Sequence, residues 1–249
     1  MGTVLDLHTH TVMASPDSEL TPAQLVQVAR QVGLHGVGVT EHNRTWDHRE
    51  AEAYGRDYGF AFFRGMEVTT DLGHILVFGL DQYVSGIHFA KDLRKTVTAA
   101  GGIMIAAYPF RHLFHQHRAW GGGHDQQPIP SIEEAARLPI FDVVDAVEVF
   151  NGGTGERENL YTLRVAQYLG MRGTAGSDAH SRYGLGRYVT VFEREVRSVE
   201  ALIGELRAGR FAVAETTRAS GAQGSTAATD GAGGADLEIR LRVAFGVED

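Results

Sequence analysis

Residues 4–11 read Val4-Leu5-Asp6-Leu7-His8-Thr9-His10-Thr11. An apolar lead followed by alternation predicts a β-strand, whose period of two sends His8 and His10 to one side and Leu7 and Thr9 to the other. Two imidazoles placed so at a strand end can grip one borderline ion such as Zn2+, Mn2+ or Fe2+ without strain. Alone, they read just as well as two histidines satisfied by surface or core contacts. The choice turns on whether the rest of the chain supplies answering ligands from equivalent positions.

It does so repeatedly. Thr21-Pro22 reads as an N-cap with proline in the first turn, and Leu25, Val28, Ala29 and Val32 give the apolar spacing of a helix up to Gly33. The next strand, Gly36–Thr40, ends on Glu41-His42-Asn43. A polar helix over 47–58 and a strand over 60–63 lead into Gly65-Met66-Glu67, and His74 immediately precedes the apolar run 75–78. A helix over 89–100 is followed by the strand 103–107, which runs into Tyr108-Pro109-Phe110-Arg111-His112. Then come a short helix (132–138), a strand (143–149) holding Glu148 and ending at Asn151, and a helix (156–169). Gly173–Ser177 leads to Asp178-Ala179-His180, and a last round comprises strand 188–192, helix 198–208 and strand 211–214.

Strands alternating with helices predict a parallel α/β architecture, and about seven rounds favour a barrel over an open sheet. In a barrel the strand C-termini open on one face, so His8, His10, His42, Glu67, Asp178 and His180 converge although they span most of the chain. Histidines scattered merely for solvent contact have no reason to select strand ends.

At 249 residues the chain suits one barrel domain over residues 1–215. A Gly/Ala/Ser/Thr-rich stretch over 216–235 reads as a mobile linker, and 236–249 as a strand-like tail in which Leu237–Val243 alternate apolar and charged residues. The absence of cysteine excludes disulfides and thiolate ligands, leaving His, Asp and Glu to hold any metal. A net charge of −8 argues against long nucleic acids as partners, without excluding a short oligonucleotide. With no signal-like leader and no membrane-length apolar run, a soluble, cytoplasmic protein with no membrane partner is expected. Residues 113–130, which include His115, His117 and His124, have no period and read as a long loop of the lid or binding type.

His8-x-His10, then Asp17, Thr40-Glu41-His42-Asn43, Gly65-Met66-Glu67, Gly73-His74 and Gly176-Ser177-Asp178-Ala179-His180 resemble, in this order, the motifs of the polymerase and histidinol phosphatase (PHP) family. The resemblance spans residues 4 to 192. It implies a distorted TIM-like (β/α)7 barrel that hydrolyses phosphate esters with two or three divalent ions (Mn, Zn or Fe). Carried over by position, His8, His10, Glu67 and Asp178 hold one ion. Glu67 with His74 reaches a second, and Asp17, His42 and His180 hold a third. A carboxylate can bridge ions about 3.5–4 Å apart, and an ion-bound water loses its proton near neutral pH, so no side-chain nucleophile is required. The substrate implied is a small phosphomonoester, such as a nucleotide or histidinol phosphate.

Two departures from the family pattern stand out. Tyr108 occupies a position where the family has a histidine ligand of the second ion, and a phenol that titrates near pH 10 is a poor replacement. The second ion is then weak, absent, or rescued by His112, His115 or His117. Asp17 also follows His10 across a longer gap than the pattern has. Arg111 can fork onto phosphate oxygens and joins Asp178 and His180 as a catalytic candidate. His112 and Asn151 are candidates for substrate contact, with Arg182 and Arg187 weaker candidates for Arg111's task. Asp6, Glu41 and Glu148 are candidates to orient the histidines.

Two other readings compete. Amidohydrolase-type barrels also begin with His-x-His, but many bridge their ions with a carboxylated lysine. Here Lys91 and Lys95 fall within the helix of 89–100, while Glu67 holds the bridging position. The other reading is a non-catalytic module that keeps its ligands for stability or binds a partner through the 113–130 loop.

Overall fold

Local chemistry sets the helix starts. Thr21 and Gln24 close a capping box at the head of α1 (Pro22–Gln31). Asp47 caps α2 (His48–Tyr58) through the backbone N–H groups of Arg49 and Glu50, and Gly59 ends that helix in the left-handed conformation. The remaining α-helices among the described residues are α3 (Ala90–Ala99), α4 (Ile132–Ala135), α5 (Glu156–Tyr168) and α6 (Val199–Ala208). The computed structural model describes residues 2–114, 128–218 and 237–241. His115, His117 and His124, residues 219–235 of the expected linker, and residues 236 and 242–249 of the expected tail lie outside the described residues.

Among the described residues ten strands form one sheet. In chain order they are β1 (Thr3–Thr9), β2 (Gly36–His42), β3 (Ala61–Thr70), β4 (Gly73–Phe78), β5 (Ile103–Ala106), β6 (Ala146–Asn151), β7 (Arg172–Gly176), β8 (Tyr188–Phe192), β9 (Phe211–Arg218) and β10 (Leu237–Leu241). The spatial order is β10-β9-β8-β1-β2-β3-β4-β5-β6-β7. Just past β7 the chain returns to β1: Asp178 N–H donates to the His8 carbonyl at 2.8 Å, and His10 N–H to the Ala179 carbonyl at 3.0 Å. Those bonds nearly close the seven strands β1 to β7 into a barrel.

The barrel is mixed rather than wholly parallel. β4 runs antiparallel to both β3 and β5, whereas β1–β2–β3 and β5–β6–β7 are parallel. The turn from β3 to β4 is too short for a crossover helix, and Gly73, at φ +114°, starts the returning strand. His74 therefore lies at the start of its strand yet on the face where the neighbouring strands end. β8 and β9 are also antiparallel additions beyond β1, and β10 pairs with β9, which runs through the expected boundary at residue 215.

The interior is apolar below the site. Leu5, Leu7, Phe63, Leu76, Phe78 and Ile105 pack in one cluster with Leu202 and Leu206 of α6. Burying side chains of this size contributes roughly 1.5–3 kcal/mol each. No helix among the described residues is long and apolar enough to cross a membrane.

Candidate metal centre

His8 on β1 and His10 just past its end are completely buried, and each is aimed by a partner on its far ring nitrogen. The β1–β2 register slips between Asp6 and Thr9, a bulge that re-aims side chains at the point where His8 leaves the strand. His8 Nδ1 lies 2.9 Å from Glu148 Oε1, and the other Glu148 oxygen accepts from Asn151 Nδ2 at 2.9 Å. His10 Nδ1 lies 3.0 Å from Ser15 Oγ, which in turn donates to Glu41. Glu41 also accepts from the Thr11 backbone N–H and hydroxyl and from Trp46 Nε1. These networks assign the proton of both rings to Nδ1, so both Nε2 lone pairs point inward.

Four acceptors then crowd one point. His8 Nε2 and His10 Nε2 are 3.1 Å apart, and each lies 3.3–3.4 Å from Glu67 Oε2 and 3.4 Å from Asp178 Oδ1. Glu67 Oε2 is buried with no hydrogen-bond partner. Such an atom, ringed by other acceptors, is costly unless a cation sits among them. The spacing fits one: ligands about 2.1 Å from a tetrahedral ion are about 3.4 Å from each other.

The charges agree. Burial pulls the His8 imidazole down, yet Glu148, Asp178 and Glu67 hold it well above its ordinary value. Burial pushes Glu67 and Asp178 up, yet the surrounding histidines, with Arg111 beside Asp178, hold both carboxyls below the usual range. The residues present fit a divalent ion held by His8, His10, Glu67 and Asp178.

A second cluster lies nearer solvent, formed by His10, His42 and His180. His180 Nδ1 faces the Asp178 carbonyl at 3.0 Å, and its Nε2 is 3.4 Å from His42 Nε2. Asp17 Oδ2 is 3.3 Å from Nε2 of both rings. The long gap before Asp17 is taken up by a loop pinned at its return, where Ser18 Oγ donates to the His10 carbonyl and Glu19 N–H to the His180 carbonyl.

The other flank holds His74, Tyr108 and Arg111. His74 Nδ1 is 2.8 Å from Glu67 Oε1, the Tyr108 hydroxyl donates to that same oxygen, and it lies 2.6 Å from His74 Nδ1. His74 belongs to neither ligand cluster. Arg111 turns its fork inward: Nη2 donates to Asp178 Oδ2 and, at 2.8 Å, to Asn151 Oδ1, while Nε reaches Thr154 Oγ1. Asn151 thereby links Arg111 to Glu148. A cavity of about 420 Å³ opens here, lined by His74, Tyr108, Arg111 and His112 and by the apolar Leu138 and Ile140.

The four non-glycine residues with positive φ among the described residues are Asn43, Tyr108, His112 and Asp178. Two line this cavity, and Asp178 belongs to the ligand set. Strain of this kind gathers where side chains must be held for function.

Other sequence candidates lie elsewhere. Arg182 Nη2 donates to Tyr183, and Arg187 pairs with Glu215. Asp6 holds backbone beside the site. It accepts from the backbone N–H groups of His8, Ser177 and Gly186, and burial pushes its carboxyl up to about 6. Ser15 and Trp46, which sequence reasoning missed, carry no signal beyond the polar gap after His10.

Comparison with known proteins agrees with this fold. A PHP domain model matches residues 6–117, and a PHP-associated model matches residues 156–211. An uncharacterized protein of Methanocaldococcus jannaschii is 26% identical over 156 residues, covering 59% of this chain and 80% of its own. A two-domain protein of Bacteroides vulgatus, described as containing a predicted PHP-like metal-dependent phosphoesterase, superposes with a TM-score of 0.59 at 18% identity over 86% of this chain. The lesion-specific endonuclease PfuEndoQ of Pyrococcus furiosus superposes at 0.52 with 15% identity over 84% of this chain. The chain spans 64% and 56% of the lengths of these two structures.

Proposed function

The chain belongs to the PHP family, and from that premise we propose that it is a metal-dependent phosphoesterase acting on a small phosphate monoester. The observation that carries the reading is the unpartnered Glu67 Oε2, buried among the inward nitrogens of His8 and His10 and beside Asp178. Two or three divalent ions of the Mn, Zn or Fe type would supply Lewis acidity toward a phosphoryl oxygen and lower the pKa of a coordinated water.

The chain's own groups do the rest. His8, His10, Glu67 and Asp178 hold the inner position, and His42, His180 and Asp17 the outer. Arg111 keeps Nη2 on Asp178 and Asn151, so its Nη1, unpartnered among the described residues, is the group to donate to a phosphoryl oxygen. Asn151 fixes that guanidinium, and the cavity with His112 at its wall receives the organic part of the ester. Its size and the net charge of −8 favour a small substrate over a long nucleic acid, and the cytoplasm is the compartment proposed. A carboxylated lysine has no counterpart in this reading, since Lys91 and Lys95 both lie on α3 and Lys95 pairs with Asp92.

The test is phosphate release from a panel of phosphomonoesters and diesters by protein purified without chelators, together with elemental analysis. Turnover abolished by chelation and restored by a divalent ion is expected. Bound metal with no release from any ester would overturn the proposal in favour of a non-catalytic module.

A further inference from the structure

Glu67 does not treat its two oxygens alike. Oε2 has no hydrogen bond and lies 3.0–3.4 Å from nitrogens of His42, His10 and His8. Oε1 already accepts from the Tyr108 hydroxyl and has His74 Nδ1 at 2.8 Å, with the phenol oxygen 2.6 Å from that nitrogen. The hydroxyl thus stands at the point from which a cation would reach both Oε1 and His74.

Tyr108 is also held there. Its backbone takes a φ of +34°, the Arg111 guanidinium lies 3.6 Å from its ring centroid, and the ring lies near-parallel to that of His8 with centroids 5.8 Å apart. Arg111 is in turn tied to Asp178, Asn151 and Thr154, so the phenol cannot swing aside without disturbing a proposed ligand.

The geometry points to Tyr108 as the residue that sets the ion count: its hydroxyl takes the place of an ion between Glu67 Oε1 and His74, leaving a two-ion centre on the Oε2 side. The inference rests on the metal-centre reading above. On this closed flank the Arg111 guanidinium, stacked on the Tyr108 ring, is the cation that lines the cavity. A neutral hydroxyl donating to a carboxylate satisfies that oxygen without a cation, so Oε1 has no remaining demand for one.

The experiment is metal stoichiometry, by elemental analysis and native mass spectrometry after saturation with Mn2+ or Zn2+ and removal of free ion. Wild type is expected to hold two ions and Tyr108→His three, because an imidazole offers a lone pair toward Glu67 Oε1 and His74. Adding His74→Ala to Tyr108→His should return the count to two, which locates the gained ion. Melting curves of the metal-free variants establish that they fold. A second readout needs no variant: wild type loaded with Fe3+ should show no visible tyrosinate-to-iron charge-transfer band.

Three ions in the wild type, or such a band, would overturn the inference and leave the metal centre standing. A folded Tyr108→His protein that stays at two ions would overturn it as well. No bound ion in any of the proteins would overturn the metal-centre reading together with it.

Discussion

Glu148 Oε1 sits 2.9 Å from His8 Nδ1, with both side chains closed off from solvent. Because Asn151 Nδ2 donates to the second Glu148 oxygen, this carboxylate serves two donors at once. Glu148→Gln must present its NH2 to one of them, which either reverses the His8 tautomer or sets two donors against each other. We expect the affinity for a divalent ion to fall about 10–100-fold, the range found when partners of ligating histidines are lost. Competition with a chelating dye measures it, and an unchanged affinity would detach Glu148 from the centre.

Ser15 plays the corresponding part for His10, standing between Nδ1 and Glu41. Ser15→Ala leaves a buried ring N–H without an acceptor and removes one of the donors on a fully buried carboxylate. Leaving one such group unpaired costs about 1–3 kcal/mol. Denaturant unfolding of the metal-free protein should show this loss, while Ser15→Thr, which keeps a hydroxyl, should lose less. Equal stability of the alanine and threonine variants would remove the hydroxyl from the argument.

The four residues proposed for the inner ion stood out in the sequence because each was read at or just past a strand's end, although β3 carries on past Glu67 to Thr70. His8, His10, Glu67 and Asp178 indeed bring their acceptor atoms within 4.8 Å of one another. What the pattern hid was strand direction and register. The apolar run 75–78 reads the same whichever way it points, so the reversal of β4, which delivers His74 to the site face, appears only in the pairing. The two register slips, beside His8 on β1 and beside Glu148 on β6, are equally silent, because a bulge costs one residue and leaves composition unchanged. Ser15 meets His10 directly and Trp46 joins through Glu41, both by tertiary contact alone, and no spacing rule predicts them. Tyr108 was visible as a departure, but its bond to Glu67 required the structure.

Gly176 tests how tightly His8 and Glu148 are packed against β7. A Cβ at this position would lie 2.5 Å from the His8 Cβ and 2.9 Å from Glu148 Oε1. Neither neighbour can retreat, since His8 leaves a bulged strand and Glu148 is held by Asn151. Gly176→Ala is expected to destabilise the fold by about 1–3 kcal/mol, the usual cost of overpacking. It should also weaken metal binding. Melting temperature and ion content of the same preparation check both, and a variant matching wild type in both would mean that β7 stands further from β1 than described.

Protons and metal ions compete for the same nitrogens, and the direction of that competition follows from the carboxylates. The Glu67 carboxylate, with Oε2 3.0 Å from His42 Nδ1, and then Asp17 hold the His42 imidazole above its ordinary value against partial burial. Burial acts downward on His8 as well, but Glu148, Asp178 and Glu67 raise it further. For the metal-free chain a raised histidine stabilises the folded state fully below the unfolded value, about pH 6.5, and that contribution is lost as pH rises through the folded value. Ion binding needs the same imidazoles unprotonated, so metal affinity should climb over the same window. Melting curves with a chelator and with excess Mn2+, taken from about pH 6 to pH 9, should therefore separate as pH increases, the metal-free midpoint falling while the difference between the two grows. A constant difference across that range would mean that His8 and His42 give up no protons when the ion binds, and the ligand assignment would fail with it.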